Sequence, residues 1–257
     1  MYLIDSHTHL FDSAFDEDRY DVVSKAITND VKKMVLPCCS AKSLEGINNL
    51  CKRFGNNCFP TAGLHPEDIG DNPNTEIDEI FSYKFCKPIV AVGEIGIDKH
   101  YVSDNIDIQM QVFETQVAKA LSTNLPIIVH CREAHQETFE VLEHYKGKIR
   151  GIFHCFSGDA ADAMRVLDFG FYFGIGGVVT FKKSGAQLAE LVKNDIPLNK
   201  IVLETDSPYL APVPYRGHRN DSSMIPLVAH KIAELKNISF DEVASVTTRN
   251  SEEVFGI

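Results

Sequence analysis

Pro88-Ile89-Val90-Ala91-Val92-Gly93-Glu94 is an unbroken apolar run closed by a carboxylate. A strand with one face in water alternates apolar and polar residues. An uninterrupted run of this length is the pattern of a parallel strand covered on both faces. Further strands are read downstream in Pro126-Ile127-Ile128-Val129-His130, in Ile149 to His154, in Phe171-Tyr172-Phe173-Gly174 and in Ile201-Val202-Leu203-Glu204-Thr205-Asp206. Upstream, strands are read in Tyr2-Leu3-Ile4 ahead of Asp5-Ser6-His7-Thr8-His9, in Met34-Val35-Leu36, and in Phe59 to Leu64 before His65-Pro66. Helical periodicity fills the gaps. Residues 18–28 carry Tyr20, Val22, Val23, Ala26 and Ile27 on one side, and residues 42–54 carry Leu44, Ile47, Leu50, Cys51 and Phe54. Further helices are expected near 75–84, 105–123, 133–145, 160–168 and 184–193. Eight strand–helix units in 257 residues predict an α/β protein, a closed (β/α)8 TIM barrel forming a single domain over residues 1–257, because such barrels typically take about 250 residues. An open doubly wound sheet is the alternative. Two more helices, about 223–236 and 240–255, complete the chain, with Ser239 as N-cap and Glu242 at the capping-box position.

The composition is that of a globular protein, with 44% hydrophobic and 24% charged residues. A net charge of −11 opposes non-specific attraction to phosphate backbones, so any nucleic-acid partner must be met by local cations. Seven cysteines, with Cys38 and Cys39 adjacent, no CxxC pair, no signal peptide and no run of 18 apolar residues, predict reduced thiols, no membrane segment and a cytoplasmic location. No obligate protein partner is evident.

The strand ends hold the chemistry. His7 and His9 close the first strand, and residues two apart on a strand face the same way about 6–7 Å apart. Glu94, His130, His154 and Asp206 close the fourth, fifth, sixth and eighth. In a barrel these ends converge on one mouth, where active sites lie. Six donors exceed one tetrahedral site and suit two divalent metal cations sharing a carboxylate. The plain alternative is that each polar residue only terminates a buried strand. Histidine favours zinc or manganese, while carboxylates and water also admit magnesium.

In order, IDSHTHL, GLHPED, VGEIGID, IVHCREA, FHCFSG, ETDSPYLAP and PYRGHRN resemble the motifs of the TatD-type metal-dependent deoxyribonucleases of the amidohydrolase superfamily. The resemblance spans residue 4 to about residue 250. It implies His7, His9, Glu94 and Asp206 around one metal, and Glu94, His130 and His154 around the other, with Glu94 as bridge where many amidohydrolases have a carboxylated lysine. It implies a nuclease cleaving DNA phosphodiester bonds exonucleolytically, with RNA as a further substrate. A hydroxide shared between the metals would attack, and Asp206 would take up the proton. One stretch departs from the pattern: Asp221-Ser222-Ser223 stands after Asn220 where the family usually has a Pro-containing segment.

Substrate contacts are expected from His65, Arg132, Arg216 and Arg219, since guanidinium groups match phosphate bidentately. His100, His135, His144, His218 and His230 are read as surface residues, and Cys131 and Cys155 as packing. Gly174-Ile175-Gly176-Gly177 lacks GxGxxG spacing and reads as a tight turn. Ser157 has no nearby base, and Lys182-Lys183 reads as a solvated helix start. The rival enzyme class is an amide or ester hydrolase, such as a cyclic amidase or a deacylase of aminoacylated tRNA, because the same nucleophile attacks carbonyl carbon. A non-catalytic binding protein is the third.

Overall fold

The computed structural model describes residues 2–257. Strands and helices alternate as β1 Leu3–Asp5, α1 Arg19–Thr28, β2 Val31–Leu36, α2 Leu44–Arg53, β3 Cys58–Pro60, α3 Pro73–Ser82, β4 Val92–Asp98, α4 Ile106–Thr123, β5 Ile127–Arg132, α5 His135–Glu143, β6 Gly151–Phe153, α6 Ala160–Asp168, β7 Tyr172–Ile175, α7 Ala186–Asn194 and β8 Ile201–Leu203. α8 Ile225–Lys236 and α9 Phe240–Phe255 follow. All strand pairs are parallel, in two arcs ordered β1-β2-β3 and β4-β5-β6-β7-β8. Single bridges close the ring, Ala62 with Val92 on one side and Thr8 with Ser207 on the other. The result is the closed (β/α)8 barrel rather than the open sheet.

Strand parity decides what fills it. Val35, Ile128, Ile152 and Val202 form the inner core, while Met34, Ile127, Val129, Phe153 and Leu203 pack outward beneath the helices. Val254 and Phe255 of α9 join the inner core and close the N-terminal end of the barrel. Ser239 caps α9 by accepting the Glu242 N–H at 3.1 Å, and Asn250 donates to the Leu198 and Ile201 carbonyls, fixing the helix beneath β8. The open end is therefore the C-terminal mouth. Because side chains alternate, the residue two beyond each inner core position also points inward, so Ile128 leads to His130, Ile152 to His154 and Val202 to Glu204.

Several bounds differ from the sequence expectation. β4 begins at Val92 and runs on to Asp98, four residues beyond Glu94, because β5 continues to Arg132 and pairs Asp98 with it. β3 stops at Pro60, and β1 stops at Asp5, leaving His7 and His9 beyond the strand itself. Gly96 tolerates the extension. Its φ is +152°, and a Cβ there would overlap the His130 carbonyl oxygen.

Candidate metal centre

Around one carboxylate the mouth gathers five imidazoles. His7 Nε2 and His9 Nε2 lie 3.1 Å apart, just beyond the end of β1 at Asp5. His7 Nε2 is 3.2 Å from Glu94 Oε2 and 3.7 Å from Asp206 Oδ1, and His9 Nε2 is 3.8 and 3.3 Å from the same two oxygens. Donors about 2.0–2.2 Å from a tetrahedral ion stand about 3.4 Å from one another. The five separations match those edges. The other oxygen, Glu94 Oε1, faces His130 Nδ1 at 2.8 Å, His154 Nε2 at 2.9 Å and His65 Nε2 at 3.3 Å. One carboxylate thus addresses two donor groups, one per oxygen.

The chemistry of the donors also fits cations. Two Nε2 atoms at 3.1 Å cannot both carry a proton, so at least one lone pair faces the shared space. His130 Nε2 lies 2.9 Å from Asp98 Oδ2 and its Nδ1 2.8 Å from Glu94 Oε1, and although burial lowers the ring, Asp98 and Glu94 raise it, so a carboxylate stands at each nitrogen. A cation at Nδ1 would take the place of the proton there, with Asp98 accepting the other. Burial tends to push the Glu94 carboxyl up, yet His154, His7 and His65 hold it well below the usual carboxylate range. Asp206 is lowered in the same sense, with burial opposed chiefly by His9. Burial lowers His7, which keeps a neutral, lone-pair-bearing ring.

His65 is oriented differently. Its Nδ1 accepts the Glu67 backbone N–H at 3.2 Å, so its proton sits on Nε2 and points at Glu94 Oε1. It offers a donor rather than a lone pair.

The cavity above these groups has a volume of about 1130 Å³ and is lined by His9, Glu94, His130, His154 and Asp206, with His65, Arg132, Lys42, Tyr101 and Tyr209 around them. Arg132 stacks on Tyr101 with its guanidinium carbon 4.6 Å from the ring centroid. Arg216 and Arg219 are not among the lining residues. Arg216 lies over Phe181, and Arg219 is held by Asp18 and the Ala14 carbonyl. Asp221, in the departing segment, is buried, accepts from Ser223 N–H and pairs with Lys25 at 2.9 Å. His135 is largely buried, its side chain 16% exposed against Phe139 and Phe156, which corrects the surface reading, whereas His100, His144, His218 and His230 are at the surface. Cys131 is buried, and Cys155 is partly so.

Two carboxylates at the mouth escaped the sequence reading. Asp98 and Glu204 each share strand parity with a named residue, Asp98 with Glu94 and Glu204 with Asp206. That two- and four-residue spacing was the signal.

A closed α/β barrel carrying these histidines and carboxylates at its C-terminal mouth defines a metal-dependent hydrolase. The family model described as TatD related DNase matches residues 4–256, and the chain belongs to that family. It is 35% identical over 256 residues to the uncharacterized metal-dependent hydrolase YabD of Bacillus subtilis, covering 99% of both chains. It is 34% identical to YcfH of Escherichia coli, covering 100% of this chain and 97% of that one. It is 30% identical to the 3'-5' ssDNA/RNA exonuclease TatD of Citrobacter koseri, covering 99% of both. Among solved structures, the TatD homolog YJJV of Escherichia coli superposes with a TM-score of 0.86 at 24% identity over 99% of this chain and 98% of that one, which supports the fold. Among the described residues, no helix is long and apolar enough to cross a membrane.

Proposed function

We propose that the chain is a nuclease that hydrolyses phosphodiester bonds of DNA from an end, with single-stranded DNA the preferred form and RNA a second substrate. The observation that carries this reading is the pairing of Arg132 with Tyr101 at the cavity wall. Tyr101 and Tyr209 are 61% and 59% exposed on that rim, a placement open to stacking with bases, which is worth about 1–3 kcal/mol per base. Arg132 and Lys42 supply local positive charge within a chain of net charge −11. The relative named as a 3'-5' ssDNA/RNA exonuclease agrees with it.

His7, His9, Glu94 and Asp206 would hold one divalent cation, and Glu94, His130 and His154 a second. When bound, such cations lower the pKa of water and neutralise charge on phosphoryl oxygens. Glu94 and Asp206 act as the catalytic carboxylates: Glu94 addresses both donor groups, and Asp206 accepts a proton from the attacking water. His65, whose Nε2 proton points at Glu94 Oε1, would share that proton with a phosphoryl oxygen of bound substrate, and Arg132 clamps the phosphate. Arg216 and Arg219, outside the cavity lining, would meet only phosphates beyond the scissile one, Arg219 on release from Asp18. Seven free thiols fit a reducing compartment, and we place the protein in the cytoplasm.

The test is an assay of 5'- and 3'-labelled single-stranded DNA, duplex DNA, RNA and an aminoacyl ester, side by side, with zinc, manganese or magnesium. Stepwise shortening of single strands, abolished by a chelator and restored by metal, is expected. Turnover of the ester with intact oligonucleotides would move the protein to the amide and ester hydrolases.

A further inference from the structure

Behind the metal-facing side of the mouth lie three buried polar atoms without hydrogen-bond partners: His7 Nδ1, His154 Nδ1 and Glu204 Oε2. They belong together. One ring nitrogen of His7, one of His154 and a Glu204 carboxylate oxygen lie within 4.8 Å of one another, and His154 Nδ1 is 3.5 Å from Glu204 Oε1. The two rings stack nearly parallel, with centroids 3.8 Å apart and planes at 11°, and both turn Nε2 toward Glu94.

We infer that Glu204 is a positioning residue whose carboxylate accepts the Nδ1 proton of His154, locking that ring in the tautomer that turns its Nε2 lone pair toward the metal sites. This rests on the assignment of His154 as a ligand. A neutral imidazole carries one N–H, so a ring that gives Nε2 to a metal must place its proton on Nδ1, where it needs an acceptor. Glu204 is the carboxylate found there. It is fully buried, and besides His154 its side chain meets the Cys155 N–H, which donates to Oε1 at 2.6 Å. A buried carboxylate needs donors, and the His154 imidazole N–H and the Cys155 backbone N–H supply two.

The fold keeps room for this side chain. A Cβ on Gly174 of β7 would overlap Glu204 Oε2, so only glycine leaves the carboxylate in place. A cavity of about 120 Å³ adjoins it, lined by Gly174, Gly176, Ser157 and Asp206 among others. A third cation on His7, His154 and Glu204 is the competing account. It would require each ring to surrender both nitrogens and lose its remaining proton, which the acceptor role does not demand.

The experiment compares full-length wild type, Glu204→Gln and Gly174→Ala, the last of which overlaps the Glu204 carboxylate far more than the His154 backbone, 2.1 against 3.0 Å from the added Cβ. Zinc stoichiometry is measured by elemental analysis, zinc affinities by competition with a chelator, and histidine tautomers by long-range proton–nitrogen NMR of the zinc-loaded protein. Wild type should bind two zinc ions, with a hydrogen-bonded Nδ1–H signal from His154. Gly174→Ala should lose that signal and bind zinc about 10–100-fold more weakly, and Glu204→Gln should bind it more weakly by a smaller factor, because an amide oxygen can still accept, while circular dichroism stays that of a folded barrel. Folded variants with wild-type affinity and an unchanged His154 signal, or a third zinc in wild type, overturn the inference. If both variants fail to fold, the wild-type spectrum decides: a zinc-loaded His154 protonated on Nε2 overturns it. Wild type that binds no zinc overturns the ligand assignment as well, so the two failures are distinguishable.

Discussion

Asp98 Oδ2 lies 2.9 Å from His130 Nε2, while the Nδ1 of the same ring faces Glu94 Oε1 at 2.8 Å. The carboxylate holds the tautomer of a ring whose other nitrogen points into the donor group. Asp98 also accepts the backbone N–H groups of His100 and Tyr101 at 2.8 and 2.7 Å, so it anchors the loop that carries the exposed tyrosine. Asp98→Ala is expected to weaken zinc at the His130 side by about 10–100-fold and Asp98→Asn by less, because an amide oxygen can still accept. Chelator competition reads both, and equal affinities for Asp98→Ala and wild type would remove Asp98 from the site.

Glu94→Ala should be the most damaging single change at the mouth, since one carboxylate faces five imidazoles. We expect loss of both metals and of measurable hydrolysis. Glu94→Gln keeps the shape without the charge and should retain partial occupancy. Elemental analysis beside the activity assay checks this; full occupancy in Glu94→Ala would refute the bridging role.

Arg132→Ala should lower kcat/KM on oligonucleotides about tenfold or more, because a charge-assisted contact is worth about 1.5–3 kcal/mol. Tyr101→Ala should raise KM for single strands more than for duplex, with metal content unchanged. The Arg216→Ala/Arg219→Ala pair should cost less than Arg132→Ala, since neither lines the cavity. A reversed order would place the phosphate elsewhere on the mouth.

Arg219 offers a pH test. Its hydrogen bonds, foremost among the causes, hold the Asp18 carboxyl below the usual range. A depressed carboxyl contributes stability that is present above its unfolded value of about 3.9 and is lost as pH falls through the lower folded value. The pair is exposed, so its worth is about 0–1 kcal/mol. Arg219→Ala should show a small thermal-midpoint deficit near neutral pH that vanishes in acid, and Asp18 should titrate higher by carboxyl NMR. An unshifted Asp18 would show that the pair does not persist in solution, which would leave Arg219 free for substrate.

Gly96 pairs with His130 across β4 and β5. Gly96→Ala combines an unfavourable φ with overlap on the His130 carbonyl and should cost on the order of 3 kcal/mol or more. Chemical denaturation measures it; a wild-type midpoint would mean that β4 runs differently.

The barrel was legible in the sequence because its cause is local. Apolar runs such as Ile127-Ile128-Val129 require cover on both faces, and eight strand segments alternating with amphipathic helices leave few topologies. The candidate ligands were legible for the same reason, as polar residues stand where apolar strands end. The tertiary structure alone decided which atoms meet. Asp98 reaches His130 because β5 runs on to Arg132, Glu204 reaches His154 across β7 and β8 through the space left by Gly174, and Arg219 turns to Asp18 instead of the cavity. Those pairings depend on register, on ring tautomer and on which side chain stands opposite across the barrel. They join residues tens to hundreds of positions apart, and no periodicity along the chain encodes them.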